Sequence, residues 1–486
     1  MAQKITIEPV TRVEGHGKVT IHLNDRGEVE ESRLHIVEFR GFERFVQGRP
    51  YWEAPVLVQR LCGICPVSHH LAAAKAMDVI VGAGTGDGLP PAAEKVRRLM
   101  HYGQIFQSHV LHFFHLASPD LLFGYDSNPA RRNVIGIAMA NRELATRAVL
   151  MRKFGQEIIA ATAGKKIHGT GAIPGGVNKN LSTQERDAFL KAPDPLNADV
   201  MIRWAGEAID FFKNYYGKNK EFIDNFSHFP SNHLSLVRRG DGALDLYNGV
   251  LRAVDAEGRR ILNDVDCQDY RDHIGEEVRP WTYMKFPYLK ALGKERGWYR
   301  VGPLARLNTA DFIPTPLAQE ELEKYRSSTG RINTHCMHTH WARLIEALHA
   351  AERIKELLLD PDLQGGNLSV AGSRKGRGVG VIEAPRGTLF HEYQVDENDL
   401  ITMCNLIVST TNNNESMNRA VNFVAKAMMS GKTEITEGMM NAVEVAIRAY
   451  DPCLSCATHA YGRMPLEISL VDAGGSVVDC RERHQE

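Results

Sequence analysis

Over residues 1–60, apolar and polar positions alternate in short runs, the period of half-buried strands. In residues 18–37, Val19, Ile21 and Leu23 precede the turn-forming residues 24–27, and Leu34 and Ile36 follow them. That spacing predicts a hairpin. From Pro66 to about residue 165 the apolar period lengthens to three and four. Helices are predicted over residues 89–117, opened by Pro90 and Pro91, and over 141–163. A further helix is predicted over 201–225. Residues 236–297 revert to turns and short strands, with a hairpin turn at 255–258. Helix returns over 338–359, and the Gly-, Lys- and Arg-rich stretch 365–380 reads as loop. Residues 406–413 read as a buried strand opening into a polar loop, and two helices over 415–429 and 437–450 follow.

These elements predict an α+β fold, mainly α: a large helical core, an N-terminal β-hairpin region and a mixed inserted subdomain. The expected divisions are residues 1–60, 61–235, 236–335 as a peripheral protruding unit, 336–459, and a terminal stretch 460–486. No internal repeat or low-complexity tract interrupts them.

Composition changes this picture little. The 486 residues are 43% hydrophobic and 24% charged, with a net charge of −1, which is ordinary for a soluble globular protein. No apolar run is long enough to span a membrane, and the N-terminus has no signal-peptide core. Near-zero charge gives no electrostatic case for nucleic acid or an anionic membrane. Eight cysteines in this length do not make a disulfide scaffold, so the expected compartment is the reducing cytoplasm.

The cysteines do carry chemistry. Cys62 and Cys65 stand three apart, just before Pro66 at a helix start, and Cys453 and Cys456 repeat the spacing after Asp451 and Pro452, with His459 three further on. Asp451 suits an N-cap and Pro452 a first helical position, which would put Cys453, Cys456 and His459 on one face of a short turn whose free N–H groups favour thiolate. Four thiolates fill a soft-metal site. From spacing alone, a zinc staple tying the two ends of the chain together, a redox dithiol and unrelated cysteines all stay open. His101, His109, His112 and His115 sit at helical spacing and read as core histidines. Glu14 and Glu43, taken singly, read as surface carboxylates.

Beyond the two cysteine pairs, three further motifs occur in order: Arg12-Val13-Glu14-Gly15-His16, Phe39-Arg40-Gly41-Phe42-Glu43, and Glu383-Ala384-Pro385-Arg386-Gly387. Together with Arg60-Leu61-Cys62-Gly63-Ile64-Cys65 and Asp451-Pro452-Cys453 through His459, they resemble the large, catalytic subunit of nickel–iron hydrogenases along the whole chain. The wording around residues 37–48 and 451–459 is most similar to the soluble, NAD-linked bidirectional group.

The resemblance implies reversible heterolytic cleavage of dihydrogen at a nickel–iron centre. Cys62 and Cys453 would bind nickel alone, and Cys65 and Cys456 would bridge to an iron that carries cyanide and carbon monoxide. Arg386 would hang over the open metal position, held by Asp451 and Asp120, although Asp120 also reads as a helix cap. Pro385 and Thr410 would line the diatomic ligands. Cys453 would be the first proton acceptor and Glu14 the next. Glu43, the carbonyl of Leu406 and His459 would hold magnesium.

The other cysteines, Cys267, Cys336, Cys404 and Cys480, show no iron–sulfur spacing, and no Gly-rich dinucleotide fingerprint is present. The electron relay is therefore expected in another subunit, and the resemblance implies an iron–sulfur small subunit, a flavin-containing diaphorase that handles NAD, and maturation proteins. NADP, deazaflavin or ferredoxin are alternative acceptors, and a complex-I-like subunit or a zinc-stapled binding protein are alternative identities. The family also implies an endopeptidase cut after His459. Residues 466–479 alternate around Gly474-Gly475 and predict a hairpin, which the mature chain would otherwise keep. With that tail ordered, Cys453 and Cys456 are expected to be displaced.

Overall fold

The structure is a computed structural model, and it describes residues 4–83, 88–432, 434–458 and the backbone of 466–471 and 477–483. Strands β1 (Lys4–Ile7), β2 (Gly17–Leu23) and β3 (Val29–Ile36) form one antiparallel sheet in that order. The predicted turn is present: Gly27 N–H donates to Asn24 O at 3.0 Å, and the Asn24 side chain accepts from the N–H groups of Arg26 and Glu28. Val19, Ile21, Leu34 and Ile36 turn inward to the largest apolar core.

Helix α1 (Pro66–Ile80) starts at Pro66 with Cys65 as its cap residue, and it is buried on nearly every side. Helix α2 (Pro91–Leu111) follows and widens into a π-turn over His112–Ala117, where one straight helix was expected. A short helix, Ser118–Phe123, completes this run. Helix α3 (Arg142–Ala163) is capped by Asn141, whose side chain accepts from Leu144 N–H. The helix expected over 201–225 is two: α4 (Ala198–Lys218) and a short Lys220–Asn225.

Strands β4 (Asn232–Val237), β5 (Val250–Val254), β6 (Arg260–Val265) and β7 (Tyr299–Arg300) form a sheet in the order β7-β4-β5-β6. The stretch from 236 was expected to form a peripheral subdomain. In this sheet Leu234, Leu236, Leu251 and Ala253 share a core with Val379, Val381, Phe390 and Ile407.

Helices α5 (Pro303–Thr309) and α6 (Thr339–Leu359) come next. Strands β8 (Arg377–Ala384), β9 (Gly387–Val395) and β10 (Ile401–Ile407) then form an antiparallel meander. β8 begins inside the stretch expected to be loop. The polar run after β10 is not loop either: Ser409–Asn412 is a short, buried helical turn. Helices α7 (Asn414–Met429) and α8 (Glu437–Arg448) lead to the second cysteine pair. Strands β11 (Leu466–Val471) and β12 (Val477–Arg483) pair as the expected terminal hairpin.

Helix α1 lies against β8 at backbone contact. A Cβ on Gly380 would fall 2.0 Å from Ala72 O, and one on Gly378 2.1 Å from Ala76 O. Only glycine lets the helix that follows Cys65 and the strand that precedes Pro385 and Arg386 come this close.

Candidate metal centre

The two cysteine pairs meet. The Sγ atoms of Cys62, Cys65, Cys453 and Cys456 all lie within 4.8 Å of one another, and all four residues are buried. Cys62 Sγ is 3.3 Å from Cys453 Sγ, and Cys65 Sγ is 4.0 Å from Cys456 Sγ. Cys62 Sγ accepts from the N–H groups of Ile64 and Cys65, both at 3.2 Å.

The second pair is presented differently from the expectation. Asp451 is no N-cap: it takes a left-handed φ of 54°, and the helical turn is confined to Leu454–Cys456, with Cys453 at its cap. A tight 3₁₀ turn brings positions three apart into line, which sets Cys453 and Cys456 Sγ 2.6 Å apart. So short a turn does not make Cys453 a thiolate. Burial raises the pKa of Cys453 and Cys456 well above the ordinary thiol value, while hydrogen bonds from Cys453, Cys456 and Cys62 lower that of Cys65. Such a set binds metal by giving up its protons. With the terminal hairpin paired, the expected displacement of Cys453 and Cys456 is not seen.

Glu14 is tied to this turn. Its backbone bridges to Cys453, and its carbonyl accepts from Leu454 N–H at 2.9 Å. Cys453 Sγ donates to Glu14 Oε2 at 3.0 Å, Ser455 N–H donates to the same oxygen at 3.2 Å, and the Ser455 hydroxyl donates to Oε1. Ser455 is a functional neighbour that the sequence did not single out, since a serine between two cysteines carries no pattern of its own.

Arg386 and Asp451 also converge on the cluster. Arg386 Nη2 donates to Asp451 Oδ1 at 3.0 Å, with both side chains buried. Burial works against the Arg386 charge, but Asp451 and then Cys453, Cys65 and Cys62 outweigh it and hold the pKa well above the arginine value. Burial pushes Asp451 up to about 6, with Arg386 and Arg343 opposing. Arg386 Nε and Nη1 and Asp451 Oδ2 are buried with no protein partner. Buried donors of this kind require a partner, so the side chain is built to face a bound group.

A cavity of about 10 Å³, room for one water-sized group, is lined by Cys65, Pro385, Arg386, Thr410, Cys453 and Cys456, with Ser68 and His69 among its other walls. Thr410 Oγ1 accepts from Cys453 N–H at 2.9 Å, which leaves its own proton to donate. His69 Nδ1 lies 3.1 Å from His391 Nε2, and His391 Nδ1 lies 2.8 Å from the Tyr393 hydroxyl. A larger cavity of about 490 Å³ shares no lining residue with this pocket.

Asp120 lies elsewhere. It is inside the short helix Ser118–Phe123, not at its cap. Its carboxylate accepts from Arg12 at 2.5 Å, Arg448 at 2.8 Å and Asn441 at 3.0 Å. Those bonds clamp the N-terminal segment to α8 and do not involve Arg386.

Glu43 Oε1 accepts from Leu406 N–H at 2.9 Å, and Lys285 Nζ lies 3.6 Å away. Burial raises the Glu43 pKa, with Lys285 offsetting part of it. The N–H groups of Arg40 and Gly41 donate to Thr458 O, which brings the end of the second motif beside Glu43. His459 lies outside the described residues. His101, His109 and His112 are core histidines bonded to Leu246 O, Glu346 and Arg448 O, and burial lowers the pKa of each. Cys267, Cys336 and Cys404 stand apart from the cluster, and the side chain of Cys480 lies outside the described residues.

Four convergent cysteine sulfurs and a buried guanidinium define a soft-metal site, and the fold around them belongs to a known class. The family model described as nickel-dependent hydrogenase matches residues 40–123 and 254–459, and one described as HoxL-like matches residues 4–39. The chain belongs to the nickel-dependent hydrogenase family and is a large, catalytic hydrogenase subunit.

Among its relatives, the NAD-reducing hydrogenase HoxS subunit beta of Cupriavidus necator is 53% identical over 99% of this chain and 100% of its own length. A chain of the F420-non-reducing hydrogenase of Methanothermobacter thermautotrophicus is 43% identical over 98% of this chain and 99% of its own. A crystal structure of an NAD+-reducing [NiFe]-hydrogenase in the H2-reduced state superimposes with a TM-score of 0.90 at 56% identity, covering 94% of this chain and 99% of that one. The Ni-Fe-Se hydrogenase of D. vulgaris Hildenborough shares the fold at 22% identity and a TM-score of 0.73, covering 94% of this chain and 100% of its own.

Proposed function

We propose that this chain splits and forms dihydrogen in a complex that passes the electrons to NAD. The observation that carries the catalytic half is the set of four Sγ atoms within 4.8 Å, with Glu14 Oε2 3.0 Å from one of them. In this reading Cys62 and Cys453 would hold nickel, and Cys65 and Cys456 would hold both nickel and an iron that carries cyanide and carbon monoxide. The donor set suits such soft metals. When bound, the nickel–iron centre supplies the heterolysis of dihydrogen.

The chain's own residues do the rest. The Cys453 sulfur and the Glu14 carboxylate share one hydrogen-bonded proton position, so a proton released at the sulfur moves to Glu14 without reorganisation. The Ser455 N–H and hydroxyl fix that carboxylate. Arg386 presents Nε and Nη1 to the pocket. Pro385 walls the space for the diatomic ligands, and the Thr410 proton is available to a cyanide nitrogen. Glu43, the backbone carbonyl of Leu406 and His459 would hold magnesium. Oxygen donors suit such a hard cation.

The electron route lies in partners. Phe39, Phe45, Trp52 and Val56 are exposed apolar side chains in the N-terminal part of the chain, available to an iron–sulfur small subunit. The NAD assignment, with its flavin-bearing diaphorase, is supported by the similarity to NAD-reducing hydrogenases. Eight cysteines in a chain of this length, with no disulfide-scaffold spacing, fit a reducing cytoplasm. Among the described residues, no helix is long and apolar enough to cross a membrane.

The test is an assay of the purified complex under dihydrogen with NAD, NADP, deazaflavin and ferredoxin in parallel, together with metal analysis. Nickel, iron and NAD reduction are expected. Zinc alone would overturn the catalytic assignment, and a preference for another acceptor would overturn the NAD assignment.

A further inference from the structure

Arg386 sits on a very short tip. Ala384 pairs with Gly387 across β8 and β9, so Pro385 and Arg386 alone make the turn between them. Its guanidinium is tethered through the bond to Asp451, and its carbonyl is met by Asn413 Nδ2 at 3.5 Å, a long contact. A two-residue tip carrying a long side chain keeps its aim only if its backbone is held.

That hold comes from Arg306 on α5. Its guanidinium, wholly buried, donates through Nη1 to Ala384 O at 2.9 Å and through Nη2 to Pro385 O at 3.3 Å. The same group reaches Glu346 on α6 through Nε at 2.6 Å and Nη2 at 2.5 Å, and Glu383 on β8 through Nη1 at 2.8 Å. Each carboxylate is fixed in turn. Glu346 is bonded to His109 at 2.9 Å, and Glu383 accepts from Leu236 N–H and the Thr388 hydroxyl, both at 2.8 Å. One planar fork thus ties α5, α6 and β8 to the two carbonyls that precede Arg386.

We propose that Arg306 is a positioning residue for the hydrogenase reaction: it aims Arg386 into the metal pocket through the carbonyls of Ala384 and Pro385. The inference rests on Arg386 being the guanidinium over the metals, which Arg386→Lys tests by itself. A lysine at 306 keeps the charge and loses the fork, so it cannot hold both carboxylates and both carbonyls at once.

The experiment is a double-mutant cycle in the assembled enzyme, with Arg306→Lys, Arg386→Lys and the pair. Arg306→Lys is expected to keep its nickel and iron and its KM for dihydrogen while turnover falls roughly 10- to 100-fold, as for a small misplacement of a reacting group. The double variant is expected to be no slower than Arg386→Lys alone. A crystal structure of Arg306→Lys is expected to show the Arg386–Asp451 contact broken. Losses that multiply in the double variant, an unchanged turnover, or an intact Arg386–Asp451 contact would each overturn the proposal. If Arg306→Lys does not assemble, Thr388→Val, which removes one support of Glu383, goes through the same cycle. It is expected to give a smaller but equally non-additive loss, and multiplying losses would again overturn the proposal. A fully active Arg386→Lys would sink the reading of Arg386 instead, leaving the crystal structure to report whether Arg306 sets its position.

Discussion

Glu14 faces Cys453 Sγ at 3.0 Å and is held by Ser455 through two bonds, so its role is testable without disturbing the metals. Glu14→Gln keeps size and hydrogen bonding but cannot take a proton. Hydrogen–deuterium exchange into solvent is expected to fall by about 10²- to 10⁴-fold, with nickel and iron contents unchanged. Exchange at the wild-type rate would mean that protons leave another way. A second residue reports on folding. His70 donates from Nδ1 to Pro55 O at 2.7 Å and accepts at Nε2 from Ala172 N–H at 2.9 Å, bonds that only the neutral ring makes together. Burial lowers its pKa from 6.5 to about 4. Because the unfolded chain takes up this proton first, the stabilisation is complete above pH 6.5 and drains as pH falls towards 4. Its full size is about 3 kcal/mol. Between pH 7 and 4.5 the unfolding midpoint of His70→Gln should fall less than that of the wild type, and parallel curves would refute the assignment. Residues of this kind mark the limit of the sequence. The four cysteines, Glu14 and Arg386 are legible because they sit in spaced motifs. Asp120 is not, and its expected pairing with Arg386 fails: an aspartate after a histidine-rich helix has the same local look whichever arginine it meets. Arg12 and Arg448 are brought to it only by the fold.

Among the elements, those with a clean period were readable in advance: the β2–β3 hairpin, α3, α6, α7 and α8. The misreadings arose where tertiary packing overrode local pattern. Gly378 and Gly380 look like loop residues in a Gly- and Arg-rich stretch, yet they are strand residues whose missing side chains admit α1. The short turn at Leu454–Cys456 replaces an expected helix start because Asp451 is spent on Arg386 and Cys453 is bridged to Glu14. The glycine contact gives a prediction for the element pair. Gly380→Ala places a methyl 2.0 Å from Ala72 O, against a helix backbone that cannot yield locally. The cost should be at least about 1–3 kcal/mol, as for an overpacked core. Because α1 begins at Cys65 and β8 leads to Arg386, nickel content should fall along with the unfolding midpoint. A variant of normal stability and full nickel would show that the α1–β8 contact does not set the site.

For the whole molecule, the open question is the stretch after Thr458. We expect cleavage after His459 in the active enzyme, with the β11–β12 hairpin removed, and intact-mass measurement decides it. A chain ending at Glu486 with full nickel and full activity would show that the hairpin belongs to the mature protein. The cysteine pairs add a constraint of another kind. Cys62 and Cys453 stand 391 positions apart in the chain and 3.3 Å apart in space. At roughly 5–20 residues per second of synthesis, the second pair follows the first off the ribosome by about 20–80 s. During that interval the nascent chain displays a lone Cys62–Cys65 dithiol at the mouth of a forming helix. Such a half-site is open to oxidation and to stray thiophilic ions, so whatever delivers the proper metals must also guard it until translation ends.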